Sequence, residues 1–287
     1  MRTPSVLLLL SSFAMAQDPA VDRDRLPTER VVHGSFGIDF TNQYFFRGIL
    51  QENQGFITQP WWQLGYGLYE SEDWLRKLDF TFGQWNSLHE GPTGSQGTDG
   101  MWYESDFHFG VESIVDERMH VGIQYVTYHS PNDSFDTVQE LMFTGRWDDH
   151  GRMDSLSSGL QPQFTLAFEL DGQRDGGDHV GIFLGFGIEP SFPIGTLDER
   201  DIAISVPILL GTSLKDYYED GAGNDDFFGV LDIGAEVEVP LNFLPGRAGP
   251  WDAHTGLHFL LLGDNNEDRN VGDSAELVFS IGLGTRF

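Results

Sequence analysis

The chain has 287 residues, no cysteine, and 16 Lys+Arg against 45 Asp+Glu, for a formal net charge of −29. No disulfide can staple such a chain, and so acidic a surface repels nucleic acid, which needs clustered Lys and Arg. No segment reaches the roughly 20 consecutive apolar residues that a membrane-crossing helix needs, and the length suits one large all-β domain as well as two small ones.

Met1 and Arg2 open the chain, Val6 to Leu10 supply a short apolar run, and Ala14-Met15-Ala16 precede Gln17. A basic start, an apolar centre and an A-x-A site predict a secretory signal over 1–16, cleaved after Ala16. Residues 17–32 are charged, carry two prolines and show no alternation. They read as a flexible periplasmic lead-in.

From 33 to 287 the pattern changes to period-two alternation broken by turn-rich stretches, the signature of strands. Twelve strands are predicted. The first, 33–48, sets Phe36, Ile38, Phe40, Tyr44 and Phe46 on one face. The next five are 56–69, 74–86, 101–113, 118–129 and 135–148, with Trp62, Trp74, Tyr103, Tyr125 and Trp147 among their apolar sets. Strands at 161–171, 178–189, 202–215, 227–241 and 251–263 follow, the last carrying Trp251. In the twelfth, Ala275, Leu277, Phe279, Ile281, Leu283, Thr285 and Phe287 share one face, while Glu276, Ser280, Gly282, Gly284 and Arg286 share the other.

Connectors fall into two alternating sets. One set, 49–55, 87–100, 130–134, 172–177, 216–226 and 264–272, is mostly rich in Asp, Asn, Gly and Glu. The other, 70–73, 114–117, 149–160, 190–201 and 242–250, includes two tight turns. Long strands, an even strand count and one set of longer loops predict an all-β fold: a single antiparallel transmembrane β-barrel of about 12 strands, with 10 or 14 as alternatives. A soluble β-sandwich also alternates and is the competing architecture. With both termini periplasmic, outward Trp74, Trp147 and Trp251 form a lower aromatic belt and Tyr44, Tyr103 and Tyr125 an upper one, where amphipathic rings favour the interface.

The last strand, with its terminal phenylalanine, resembles the ending of Gram-negative outer-membrane β-barrel proteins. Phe287 is then implied as part of the signal that the barrel-assembly machinery reads. Gln43-Tyr44-Phe45-Phe46-Arg47-Gly48-Ile49 resembles an uncharacterised bacterial barrel family in which a Tyr-x-Phe-Arg-Gly stretch closes the first strand. These resemblances imply fold and a bacterial outer-membrane location, and no activity.

The predicted inner faces carry Asp39, Asp79, Glu104, Asp106, Glu112, Glu140, Glu169, Glu189, Asp232, Glu236, Glu238, Asp252 and Glu276 against Arg47, Lys77, Arg146 and Arg286. An open lumen so lined favours cations, whereas a side-chain network would plug it. His108, His120, His179, His254 and His258 also fall inward; His254 and His258 are roughly 13 Å apart on one strand and cannot share a metal. The stretches 220–226 and 264–268 match oxygen-rich cation loops in composition only, without EF-hand spacing. No G-x-S-x-G occurs and no local spacing singles out a catalytic trio. The expectation is a passive channel for small neutral or cationic solutes, a non-enzyme, with no cofactor beyond weak divalent-cation binding by acidic outer loops. Its partners are outer-membrane lipid and lipopolysaccharide. The rivals are a plugged structural or adhesive barrel and an outer-membrane lipid-processing enzyme, which would need a Ser/His pair facing outward at the rim.

Overall fold

The structure, a computed structural model, describes residues 31–97, 100–153, 156–197, 200–244 and 249–287. The predicted signal and nearly all of the lead-in lie outside the described residues.

Twelve antiparallel strands close into a ring. In ring order they are β1 (Val32–Thr41), β4 (Ile57–Glu70), β5 (Leu75–His89), β6 (Trp102–Val115), β7 (Met119–His129), β8 (Val138–Trp147), β9 (Gln163–Asp171), β10 (Ile182–Ile188), β13 (Ile208–Lys215), β14 (Phe228–Pro240), β15 (Trp251–Leu262) and β16 (Ala275–Arg286). Closure is made where the first strand meets the last, from Ser35↔Arg286 to Thr41↔Ser280. Full closure removes every free edge from the ring.

Alternation explains the wall. Phe80, Phe82, Phe107, Phe109, Phe164, Phe186, Phe259, Phe279 and Ile281 all point outward and are exposed. A contiguous apolar surface of this extent is foreign to a water-facing monomer. Inward positions on the same strands carry Asp39, Asp79, Glu104, Asp106, Glu140 and Asp252, all buried.

Three departures from simple alternation matter. The first predicted strand stops at Thr41, and the rest of it becomes β2 (Tyr44–Phe46) and β3 (Ile49–Glu52), a separate two-stranded sheet. The predicted connector 190–201 is largely strand, β11 (Ser191–Leu197) paired with β12 (Arg200–Ser205), which continues onto β14 through Ile204↔Val237. Pro190 and Pro207 interrupt the long arms at the joints, because proline cannot donate to a ladder. Finally, the predicted loop 264–272 contains a short helix, α1 (Asp264–Arg269).

The connectors 42–56, 90–101, 130–137, 172–181, 216–227 and 263–274 gather at one mouth, here the upper mouth. They are hydrogen-bonded to one another. Asn132 Nδ2 donates to the carbonyls of Thr93 at 2.9 Å and Gly100 at 2.8 Å. Asn265 Nδ2 donates to the carbonyl of Tyr218 at 2.5 Å. Arg269 reaches the Glu219 carbonyl and lies 3.7 Å from Asp175.

Candidate functional site: a lumenal hairpin

The hairpin β2–β3 turns back from the upper mouth into the barrel. Phe46 and Ile49 pair across a two-residue turn, Arg47-Gly48. Their φ values are +49° and +85°. Two positive φ angles define a type I′ turn, whose twist matches the flanking strands. Glycine takes this conformation freely, but arginine in the left-handed region costs about 1 kcal/mol. Any side chain at Gly48 would meet Val230 Cβ at 2.8 Å.

What holds Arg47 there is a buried ion pair. Its side chain has 0% exposure, and so has that of Glu140 on β8. Nη1 and Nη2 donate to the two carboxylate oxygens at 2.8 and 2.9 Å. Tyr128 Oη donates to the same carboxylate at 2.8 Å, and Arg47 also donates to Tyr217 Oη at 2.5 Å. The guanidinium lies 4.3 Å from the Phe183 ring centre. Breaking one side of such a pair costs about 3–5 kcal/mol, because the partner stays buried and charged.

A second arginine clamps the hairpin from the loop side. Arg174 sits 3.8 Å from the centre of the Phe46 ring and pairs with Glu104 at 2.8 Å. Tyr44 Oη donates to the other Glu104 oxygen at 2.8 Å. The rest of the hairpin reaches the far wall: Phe45 packs with Val230, Leu260 and Leu262, and Leu50 joins them. Tyr44, Phe46 and Ile49 pack instead with Trp61, Trp85, Tyr128, Met142 and Phe183. The hairpin therefore spans the lumen from β5–β10 to β14–β15. Tyr218 locks it from above, donating to the Arg47 carbonyl at 2.8 Å.

The base of the hairpin is pinned by Glu52. Its carboxylate accepts from the backbone N–H of Asn53, Gln54 and Thr93 at 3.0, 2.8 and 2.8 Å, and from the Thr93 hydroxyl at 2.8 Å. Since Thr93 spends its proton on Glu52, it accepts from His89 Nδ1–H at 2.6 Å. His89 Nε2 then accepts from Ser87 Oγ at 2.7 Å, so one tautomer satisfies the whole chain. Ser87 and His89 face the lumen and are fully buried, with Tyr103 stacked on the imidazole at 4.3 Å.

Below the hairpin, acids and cations alternate on the inner wall. His254 on β15 pairs with Asp39 on β1, which also accepts from Trp61 Nε1 at 2.9 Å. His258 bridges Asp232 at 2.9 Å and Glu236 at 3.2 Å. Arg286 reaches Asp252 at 3.0 Å and Glu238 at 3.2 Å. Lys77 holds Asp79 at 2.7 Å. Glu238 and His254 are register partners across β14–β15.

Several predicted site residues sit elsewhere than expected. Tyr44 and Tyr103 belong to no upper belt; both are buried in the lumen, Tyr44 in the hairpin and Tyr103 bonded to Gln51 at 2.6 Å. A register shift at Ser87/Leu88 turns Tyr103 inward and leaves Trp102 exposed outside. Arg47 lines no wall but forms the hairpin tip. Glu169 is spent on the backbone N–H groups of Arg174 and Gly181, at 2.7 and 2.6 Å. Glu276 receives Asn270 Nδ2 at 2.8 Å and Gln43 Nε2 at 3.1 Å. Asp106 is buried beside Glu104. Trp74 is 71% exposed, while Trp147, Trp251 and Tyr125 are half-buried, Trp251 edge-on to Phe36. Phe287 exchanges both backbone hydrogen bonds with Gly34.

His179 is on the rim, not in the lumen. Its Nδ1 meets Glu219 at 2.7 Å, and that bond raises the imidazole above its usual range. Burial works to raise the Glu219 carboxyl, but the hydrogen bonds from His179 and from the backbone N–H groups of His179 and Asp178 bring it below the usual range. In the acidic loop 216–226 the carboxylates turn inward on their own backbone. Asp220 accepts from Ala222 and Asn224, and Asp225 from Asp216 and Tyr218. Residues missed at the sequence level are Glu52, His89, Arg174, Tyr217 and Tyr218.

Fold and site together define a closed twelve-stranded antiparallel β-barrel with an apolar outer wall and a hairpin in its lumen. No family model matches the chain, and no curated protein matches it. Among solved structures it is similar to the β domain of the Bordetella autotransporter BrkA, at 10% identity over 88% of this chain and 98% of that one, TM-score 0.43. It is also similar to the translocator domain of the autotransporter NalP from Neisseria meningitidis, at 12% identity over 90% and 89%, TM-score 0.43. The NanC porin aligns at 10% identity over 88% and 98%, TM-score 0.42. No residue role passes across at such identities.

Proposed function

We propose that the protein is a bacterial outer-membrane barrel held shut by its own first loop, a plugged structural or adhesive barrel that presents its interlocked upper loops outside the cell. The carrying observation is the hairpin itself. Phe45 rests on β14–β15, Phe46 on β7, and Arg47 is bound two-pronged to Glu140 on β8. An exposed apolar wall over a polar, charged interior supports the membrane setting.

A second reading keeps the expected channel, with the hairpin as its gate. The acids Asp232, Glu236 and Glu238 below the hairpin stay partly exposed to the lumen, and carboxylates along a water path favour cations. Planar-bilayer recording separates the two. The plugged barrel gives no steady conductance as wild type. Replacing 44–52 by a short Gly-Ser linker opens it, with a reversal potential under a KCl gradient that shows cation preference, reduced by Glu236→Gln with Glu238→Gln. Steady conductance from the folded wild type overturns the plugged reading. Silence from the linker variant, with its heat-modifiable mobility intact, overturns the gated channel.

A further inference from the structure

The seat that receives Arg47 is built from the barrel wall and the loop above it. Glu140 and Met142 come from β8, Tyr128 from β7, Phe183 from β10 and Tyr217 from the connector 216–227. The hairpin itself adds the ring of Phe46, whose centre is 4.9 Å from the guanidinium carbon. The polar groups of the seat therefore do not depend on the hairpin. Tyr128 Oη donates to Glu140 Oε2 at 2.8 Å and Tyr217 Oη to Glu140 Oε1 at 3.3 Å, so two hydroxyls aim the carboxylate from outside the hairpin.

The atoms bound show what the seat recognises. Nη1 donates to Glu140 Oε1 and Tyr217 Oη, and Nη2 to Glu140 Oε2 and, at 3.3 Å, to Met142 Sδ, so all four terminal N–H groups of the guanidinium are taken. Nε, where the group joins its own side chain, has no partner among the described residues. The contacts go to the outer fork and not to the stem that ties it to the hairpin. A carboxylate, a hydroxyl and a thioether set to receive that planar fork suit a guanidinium. An ammonium offers three tetrahedral donors and cannot match it.

Glu140 is the third residue of β8 from the upper mouth. With the hairpin withdrawn it is a carboxylate short of its cation, which is costly where it stays buried. The loops around that mouth are rich in Asp and Glu, and such a field draws cations toward it.

We propose that this seat is a receptor for a small guanidinium solute, which takes the place of Arg47 and holds the hairpin out. The inference rests on the plugged-barrel reading: Arg47 is then the tethered form of the ligand, and the solute competes with it from the upper side. A ligand shifts such an equilibrium only through its preference for one state, and here the withdrawn state is the one with a vacant seat.

Methylguanidinium, which reproduces Arg47 from Cδ outward, is the probe, and methylammonium at the same ionic strength is the control. Replacing 44–52 by the Gly-Ser linker vacates the seat. Methylguanidinium raises the urea midpoint of that variant, as a ligand of the folded state must, and methylammonium does not. Glu140→Gln in the same background abolishes the shift, and Tyr217→Phe weakens it. Arg47→Gly vacates the same seat and takes the titration if the linker variant does not fold. In wild type, methylguanidinium on the upper side, at about ten times the dissociation constant so measured, raises the frequency of single-channel opening about tenfold. No midpoint shift in either variant, or an equal shift with methylammonium, overturns the seat. Binding without more frequent opening overturns the unlocking. An arginine-tipped peptide that shifts the midpoint where methylguanidinium does not assigns the seat to a protein partner and overturns the solute reading. Steady conductance from wild type overturns the plug and the unlocking with it, while the titration still decides the seat.

Discussion

Replacing Arg47 by glycine tests the hairpin at its tip. Glycine keeps the type I′ turn, since φ at this position is +49°, and relieves about 1 kcal/mol of left-handed strain. It also deletes the pair to Glu140, where both side chains are fully buried. Leaving that carboxylate alone costs about 3–5 kcal/mol. The net loss of about 2–4 kcal/mol shifts the seated-to-unseated ratio roughly 30- to 700-fold. In single-molecule bilayer recording, openings become more frequent by that factor, and the barrel's unfolding midpoint in urea falls. Adding Glu140→Met, which removes the stranded charge, recovers part of the loss. The double variant is then less perturbed than the sum of the singles, as coupled sites require. If Arg47→Gly opens no more often than wild type at an unchanged midpoint, the hairpin is held by its aromatic contacts alone and the ion pair is net neutral.

Other expectations follow from neighbouring geometry. A Cβ at Gly282 would stand 2.0 Å from Asp39 Oδ1 and 2.2 Å from His254 Nε2, so Gly282→Ala separates that pair and destabilises the barrel by about 1–3 kcal/mol without opening it; denaturant unfolding and conductance together check this. Phe287→Ala lowers the yield of heat-modifiable barrel in the membrane but not export across the inner membrane; normal yield refutes an assembly role. A peptide tag at Val271, which is 91% exposed at the upper mouth, is labelled on intact cells, whereas one at Phe243 is labelled only after permeabilisation. The His179 pair is at full strength only between about pH 4.3 and 6.5, the ordinary Glu and His values. Above that window the raised imidazole loses its proton, and below it the depressed carboxyl gains one. NMR titration of His179 accordingly shows a midpoint above about 6.5, which Glu219→Gln abolishes.

The wall was legible because period two is robust: each of the twelve ring strands overlaps a predicted one. The hairpin was not. Tyr44 and Phe46 continue the alternation of Phe36, Ile38 and Phe40, so the first strand reads straight through Thr41. Two signs mark the break. Tyr44-Phe45-Phe46 is aromatic on both faces, as only a segment buried on both sides is, and Arg47-Gly48 sits between Phe46 and Ile49 as a two-residue turn in disguise, since arginine is a poor cue for it. The inward acids were readable from parity, but their partners come from distant strands and loops, such as Arg174 for Glu104. Tyr103 was misplaced by one bulge, which turns it and Trp102 over relative to the residues from Glu104 onward. The hairpin β11–β12 was hidden by its prolines, whose presence argues against a central strand and not against a short, peripheral one.

Both stems of the hairpin leave the wall at the same mouth, one after Thr41 and the other before Ile57. The hairpin is thus a flap with its hinge on two adjacent strands and its tip lying across the upper mouth, tethered to Glu140 near the upper end of β8 and to Tyr217 and Tyr218 of the loop above. A flap mounted this way swings free from its tip. Tyr217 and Tyr218 hold that tip, so whatever moves their loop works the flap at its free end, as whatever moves the loop of Arg174 works it at Phe46.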